Sequence, residues 1–137
     1  MHRAMSRISM PLLAATLLIG APFGAPASAA EELRIGFIAP KTGIFAQLGI
    51  DMQNGFQMYL DEHKGELGGA KVTLIVEDDQ GRPDTGVTKA NKLILSDNVH
   101  MLVGGVLATT GYALAPVATR AKMLYIGSIA TADDLGQ

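Results

Sequence analysis

The chain has 137 residues, with 11 lysines and arginines against 13 aspartates and glutamates, a formal net charge of −2 and no cysteine. That mildly acidic balance argues against a nucleic-acid partner, whose phosphates require a basic face. The absence of cysteine excludes disulfides and a lipid-modified cysteine after any export signal.

Residues 1–30 carry the pattern of such a signal. Arg3 and Arg7 give a basic start, and Ile8 to Ile19 is an apolar middle broken only by Ser9, Pro11 and Thr16. The small-residue stretch Ala25-Pro26-Ala27-Ser28-Ala29-Ala30 follows, with cleavage expected after Ala29 or Ala30. A spanning helix wants about 20 apolar residues, and this middle is shorter. The mature product is therefore expected from residue 31 onward, free in an oxidising space such as a bacterial periplasm.

Leu33 to Ile38 is an apolar run with β-branched and aromatic members, ended by Ala39-Pro40, and reads as a buried strand. From Gly49 to Glu62 the spacing of Met52, Phe56, Tyr59 and Leu60 is helical, with Asp51, Gln53, Gln57 and Asp61 opposite. Gly65, Gly68 and Gly69 mark its end. Lys71 to Glu77 is a second strand. The polar turn 78–84 follows, with Asp84 expected to cap the next helix. In that helix Val87, Ala90, Leu93 and Ile94 form the buried stripe, while Lys89 and Lys92 are expected in solvent. Met101 to Val103 is a third strand running into Gly104-Gly105, Thr110 to Ala121 a third helix, and Met123 to Ile126 a fourth strand.

The order β-α-β-α-β-α-β predicts an α/β fold, a parallel sheet with helices on both faces. Near Asp133 a further helix is expected to begin. A sheet of four parallel strands leaves an unpaired apolar edge, so residues 31–137 read as the N-terminal part of a lobe of a longer protein.

In an open parallel sheet, ligands bind outside the carboxyl ends of the strands. Three loops leave such ends: 39–48, 105–110 and 127–133. None contains G-x-G-x-x-G or G-x-x-x-x-G-K-[ST], which disfavours a nucleotide enzyme. Residues 105–111 lead from a strand into a helix start, where free N–H groups and the helix dipole favour an anion such as a ligand carboxylate. Thr109 and Thr110 would add hydroxyls there, although either could simply cap the helix. Ser128 and Thr131 border the same crevice. Asp78-Asp79 lacks further ligands at metal spacing and reads as a solvated, turn-capping pair. His63, at a helix end, and His100 have no nucleophile or metal partner at useful spacing. No G-x-S-x-G elbow is present, so no catalytic apparatus, metal or cofactor is expected.

Longer phrases resemble a known family. Residues 35–62, IGFIAPKTGIFAQLGIDMQNGFQMYLDE, resemble the opening of the leucine/isoleucine/valine-type periplasmic binding proteins, where a first strand leads through an S/T-G turn and an A-x-x-G segment into an amphipathic helix. Residues 67–94 resemble that family's second strand, acidic turn and second helix. Residues 99–118 and 123–135 resemble its third and fourth strands with their ligand loops.

The resemblance implies the type I fold of two hinged lobes. It also implies that a small amino acid or other carboxylate is enclosed between the lobes and delivered to a membrane ABC permease. By position it implies ligand contacts from Leu48, from Ala108, Thr109 and Thr110, and from Ile129, Ala130 and Thr131. Ala108 stands where a serine is frequent in the family, Leu48 where an aromatic is common, and Gly127-Ser128-Ile129 where many amino-acid binders have Thr-Pro-Ala. These departures leave room for another carboxylate, aromatic acids included. Two rival readings are a ligand sensor of the same fold and an exported α/β enzyme with its catalytic residues elsewhere.

Overall fold

The computed structural model describes residues 31–129. The export signal, Ala130, Thr131 and the expected helix start near Asp133 lie outside the described residues. The elements are β1 (Glu32–Ala39), α1 (Ala46–Glu62), β2 (Glu66–Leu67), β3 (Ala70–Asp78), α2 (Pro83–Leu95), β4 (Met101–Gly104), α3 (Ala108–Arg120) and β5 (Leu124–Gly127). They build one five-stranded sheet of order β2-β3-β1-β4-β5. β1 pairs in parallel with β3 and β4, and β4 with β5. The two-residue β2, which the sequence pattern does not betray, runs antiparallel to β3.

The predicted α/β sheet is thus present, with each helix face dictated by residue alternation. Ile35, Phe37 and Ala39 of β1 point to the α1 side, where they join Val103, Met52 and Phe56. The Phe37 and Phe56 rings lie 5.9 Å apart at 46°, a tilted pairing that suits their quadrupoles. Ile38 and Leu102 point to the opposite side, where Ala90 and Leu93 of α2 meet Leu114, Val117 and Ala118 of α3. β1 is therefore buried on both faces, as the central strand of a doubly covered sheet must be. β5 is the edge on the β4 side, with Leu124 60% and Ile126 46% exposed.

Several local expectations are corrected. α1 begins at Ala46, three residues before Gly49, because the Ala46 N–H donates to Gly43 O at 3.2 Å and closes a turn that the apolar spacing does not show. α2 begins at Pro83, whose missing N–H costs nothing at a first helical position. Asp84 therefore sits in the first turn rather than at the cap. It pairs there with Arg82 at 2.8 Å on an exposed surface. Lys89 and Lys92 are not simply in solvent. Both ammonium groups lie 2.7 Å from Glu77, whose side chain is only 12% exposed. Hydrogen bonds from these two lysines hold the Glu77 carboxyl below its ordinary pKa despite partial burial, which ties α2 to the end of β3.

α1 is docked by a backbone contact. An added Cβ at Gly49 would lie 1.9 Å from the Pro40 carbonyl oxygen, whereas one at Gly55 meets nothing within 4 Å. Gly49→Ala is expected to force α1 off the β1 terminus and destabilise the protein by about 1–3 kcal/mol. Gly55→Ala is expected to gain up to about 1 kcal/mol from helix propensity. Urea melts of the two variants check this. Equal stabilities would show that the close approach carries no weight.

Candidate functional site

The strand order reverses at β1. The chain leaves β1 through α1 toward β3, then crosses back through α2 to β4 on β1's other side. The loops after β1 and β4 therefore leave the carboxyl end of this pair toward opposite sides, which makes it the switch point where open α/β sheets bind their ligands.

The β4 end reaches β1 through two glycines. Gly104 has φ +128°, and a Cβ there would sit 1.9 Å from Ile38 O. The next N–H, of Gly105, donates to that same oxygen at 2.9 Å. The chain then passes Val106, which is buried, and Leu107, whose extended backbone is the N-cap of α3. No side chain caps this helix, so neither Thr109 nor Thr110 serves as the cap. The tight Gly104-Gly105 turn brings Leu107 onto the core and starts the helix at Ala108, ahead of both threonines. Helix geometry leaves the N–H groups of Ala108, Thr109 and Thr110 without intrahelical acceptors. Gly111 is the first to donate, to Leu107 O at 3.0 Å. An uncapped N-terminus at the crevice rim favours a negatively charged group.

The residues singled out by the sequence divide at this point. Thr109 is exposed and Ala108 half-buried. Thr110, in contrast, is completely buried, and its hydroxyl finds no partner among the described residues. Leu48 lies 48% exposed in the first turn of α1, and Ile129 lies 45% exposed just after β5. Ile44, 92% exposed at the tip of the loop after β1, was not anticipated.

The Asp78-Asp79 pair caps its turn as expected, Asp78 accepting the Gln80 N–H and Asp79 the Gly81 N–H, but only Asp78, half-buried, keeps contact with solvent. Asp78 organises the loop after β1: its carboxylate accepts the Lys41 N–H at 2.8 Å, the Thr42 hydroxyl at 2.7 Å and the Gln80 N–H at 2.8 Å. Burial pushes its pKa up, but these hydrogen bonds outweigh burial and hold it below the ordinary value. Asp79 is 1% exposed. It lies just after β3, where its N–H donates to Ala39 O at 3.4 Å and Gly86 of α2 lies against its Cβ. Among the described residues no group of three or more histidine, aspartate or glutamate side chains is placed to hold a metal ion. No described helix is long and apolar enough to cross a membrane.

The periplasmic binding protein family model matches residues 32–137, and the chain belongs to that family. It is 36% identical over 130 residues to the Leu/Ile/Val-binding protein BraC3 of Rhizobium johnstonii, a match covering 93% of this chain and 35% of the relative. The chain therefore spans about a third of that relative's length.

Among solved structures, it resembles a solute-binding protein of an ABC transporter from Rhodopseudomonas palustris BisB5 in complex with 3,4-dihydroxybenzoic acid. The TM-score is 0.67 and the identity 32%, covering 70% of this chain and 26% of that one. It also resembles the branched-chain amino acid substrate-binding protein LivJ of Streptococcus pneumoniae in complex with isoleucine. Here the TM-score is 0.71 and the identity 25%, over 77% of this chain and 31% of that one. The fold is that of a type I periplasmic binding protein.

Asp78→Ala is expected to release the loop after β1 and to cost about 1–3 kcal/mol, because the half-buried Lys41 N–H loses its acceptor together with the exposed Thr42 hydroxyl and Gln80 N–H. A carboxyl held low in the fold contributes stability above its unfolded value of 3.8. That contribution disappears as pH falls through the lower folded value. The variant should therefore show a shallower acid limb in stability-versus-pH melts. An unchanged acid limb would remove Asp78 from this role.

Proposed function

We propose that this chain forms the first part of the N-terminal lobe of an exported periplasmic solute-binding protein. The protein captures a small amino acid or other carboxylate between two lobes and delivers it to a membrane ABC permease. The observation that carries this reading is the uncapped start of α3 at the strand-order switch point, with Thr109 exposed beside free N–H groups. An oxygen-rich anion placed there receives backbone hydrogen bonds and the favourable end of the helix dipole. Ligand capture needs no bond chemistry. A ligand that touches both lobes binds the closed form more tightly and shifts the population toward it.

The strand-end loops add a selectivity argument. Ile44 in the loop after β1, Leu48 in the first turn of α1 and Ile129 after β5 are exposed aliphatic side chains, which suits a ligand with an apolar body. The relatives in complex with isoleucine and with 3,4-dihydroxybenzoic acid both fit that description. Residues 1–30 serve as the export signal in this reading, removed after Ala29 or Ala30.

Thr109→Val and Thr131→Val, made in the full-length protein, are each expected to weaken binding by about 1–3 kcal/mol, since a ligand oxygen or nitrogen loses its partner. Calorimetry with isoleucine and with 3,4-dihydroxybenzoate checks this, after a thermal-shift screen of amino acids and aromatic acids has ranked the ligands. Parent-like affinity in both variants would displace the crevice from the α3 terminus.

A further inference from the structure

One carbonyl oxygen joins the loops that leave β4 and β5. Gly104 O accepts the Tyr125 hydroxyl at 3.1 Å and the Ser128 N–H at 3.4 Å. The other end of the same peptide, the Gly105 N–H, donates to Ile38 O at 2.9 Å. The Gly104–Gly105 peptide is therefore held at both ends, from β1 through its N–H and from β5 through its C=O. Both flanking residues are glycines in the left-handed region, with φ +128° and +80°. No side chain on either residue resists rotation of the peptide plane between them, so its orientation rests on these hydrogen bonds.

Tyr125 is built into this position. Its half-buried side chain packs against the cluster that contains Ile38, Leu102 and Leu114, which carries the hydroxyl to the turn. A Cβ added at Gly105 would lie 2.5 Å from that hydroxyl oxygen and 3.7 Å from Gly111 Cα. The hydroxyl thus fills the space beside Gly105 that a side chain would need. Only Val106 separates Gly105 from Leu107, the N-cap of α3, so a rotation of this peptide is passed directly to the helix start. Burial, with the Asp79 charge adding to it, pushes the Tyr125 pKa up to about 12. The hydroxyl therefore keeps the proton that it donates.

We propose that Tyr125 is a positioning residue of the ligand site: its hydroxyl latches the Gly104–Gly105 peptide and so fixes where the N–H groups of Ala108, Thr109 and Thr110 point. The inference deepens the proposed function, and its consequence for ligand rests on that reading. Without the hydroxyl, the peptide plane is free to rotate about the line between its two Cα atoms. In the rotated form Gly104 O leaves Ser128 and the Gly105 N–H leaves Ile38 O. The start of α3 then holds no single geometry, and a ligand carboxylate has to order the turn as it binds, which weakens binding. Because Gly104 O also anchors the Ser128 N–H, the latch ties the loop after β5 to the loop after β4.

Tyr125→Phe in the full-length protein removes the hydroxyl and leaves the ring in place. Amide hydrogen exchange at Gly105, Leu114 and Val117 is followed by NMR without ligand, together with the carbon-13 shift of the Gly104 carbonyl. The Gly105 amide is expected to lose about three- to tenfold in protection, the worth of one hydrogen bond. The Gly104 carbonyl resonance should move as its donor is lost, while the Leu114 and Val117 amides keep parent-like protection. Calorimetry with isoleucine and with 3,4-dihydroxybenzoate reads the consequence: whichever compound the parent binds is expected to bind the variant about three- to tenfold more weakly. Parent-like protection at Gly105 overturns the latch. So does a loss shared equally by Leu114 and Val117, or a variant that does not fold, since the hydroxyl would then support the fold as a whole. Parent-like affinity beside reduced Gly105 protection overturns the positioning role. Binding of neither compound by the parent counts against the ligand reading, and the exchange data alone then decide the latch.

Discussion

The carboxyl end of β1 meets two other elements through bare backbone, and the crevice depends on both contacts. Ile38 O accepts the Gly105 N–H and leaves no room for a side chain at Gly104, while Pro40 O does the same at Gly49. One contact sets where β4 ends and α3 begins. The other sets how close α1 lies to the loop after β1. Side chains at either glycine would separate the elements that form the rim, since a carbonyl oxygen 1.9 Å away cannot yield as a flexible side chain can. The family's A-x-x-G phrase, here Ala46-Gln47-Leu48-Gly49, thus has a physical reason in this chain.

A polar layer lies directly under that rim. Asp78 gathers three donors from the loops it borders and remains charged, whereas Asp79, one residue on, is turned inward to a site with a single backbone donor. Two adjacent carboxyls thereby acquire opposite pKa shifts from environment alone. Strand alternation explains the split, because successive side chains at a strand end point to opposite faces. Tyr125 and Thr110 complete the layer from β5 and α3. α3 consequently rests on polar groups at its start as well as on the apolar contacts of Leu114 and Val117 farther along.

Much of this was legible before any coordinates. The apolar runs and helical spacings of residues 33–126 placed every major strand and helix within a few residues, because burial on both sheet faces leaves a plain sequence signature. The strand-end loops were identified from that alternation alone. Boundaries set by capping and turns were not legible. α1 starts early through a backbone bond to Gly43 O, α2 starts at a proline, and α3 starts ahead of its threonines because the glycine turn delivers Leu107 to the core. Local patterns carry no information about such contacts, since their partners lie in other elements.

Composition and local pattern by themselves determined an α/β sheet, a chain without cysteine chemistry and a set of hydroxyl-bearing loops at strand ends. Residue periodicity reports which face is buried, and that suffices for the architecture. Only the tertiary structure decided that Thr109 stays exposed while Thr110 is buried, and that Asp78 organises a loop while Asp79 is enclosed. Neighbours in sequence have the same local propensities. What separates them is the packing of α2 and α3 against the end of β1, a long-range arrangement that no short window contains.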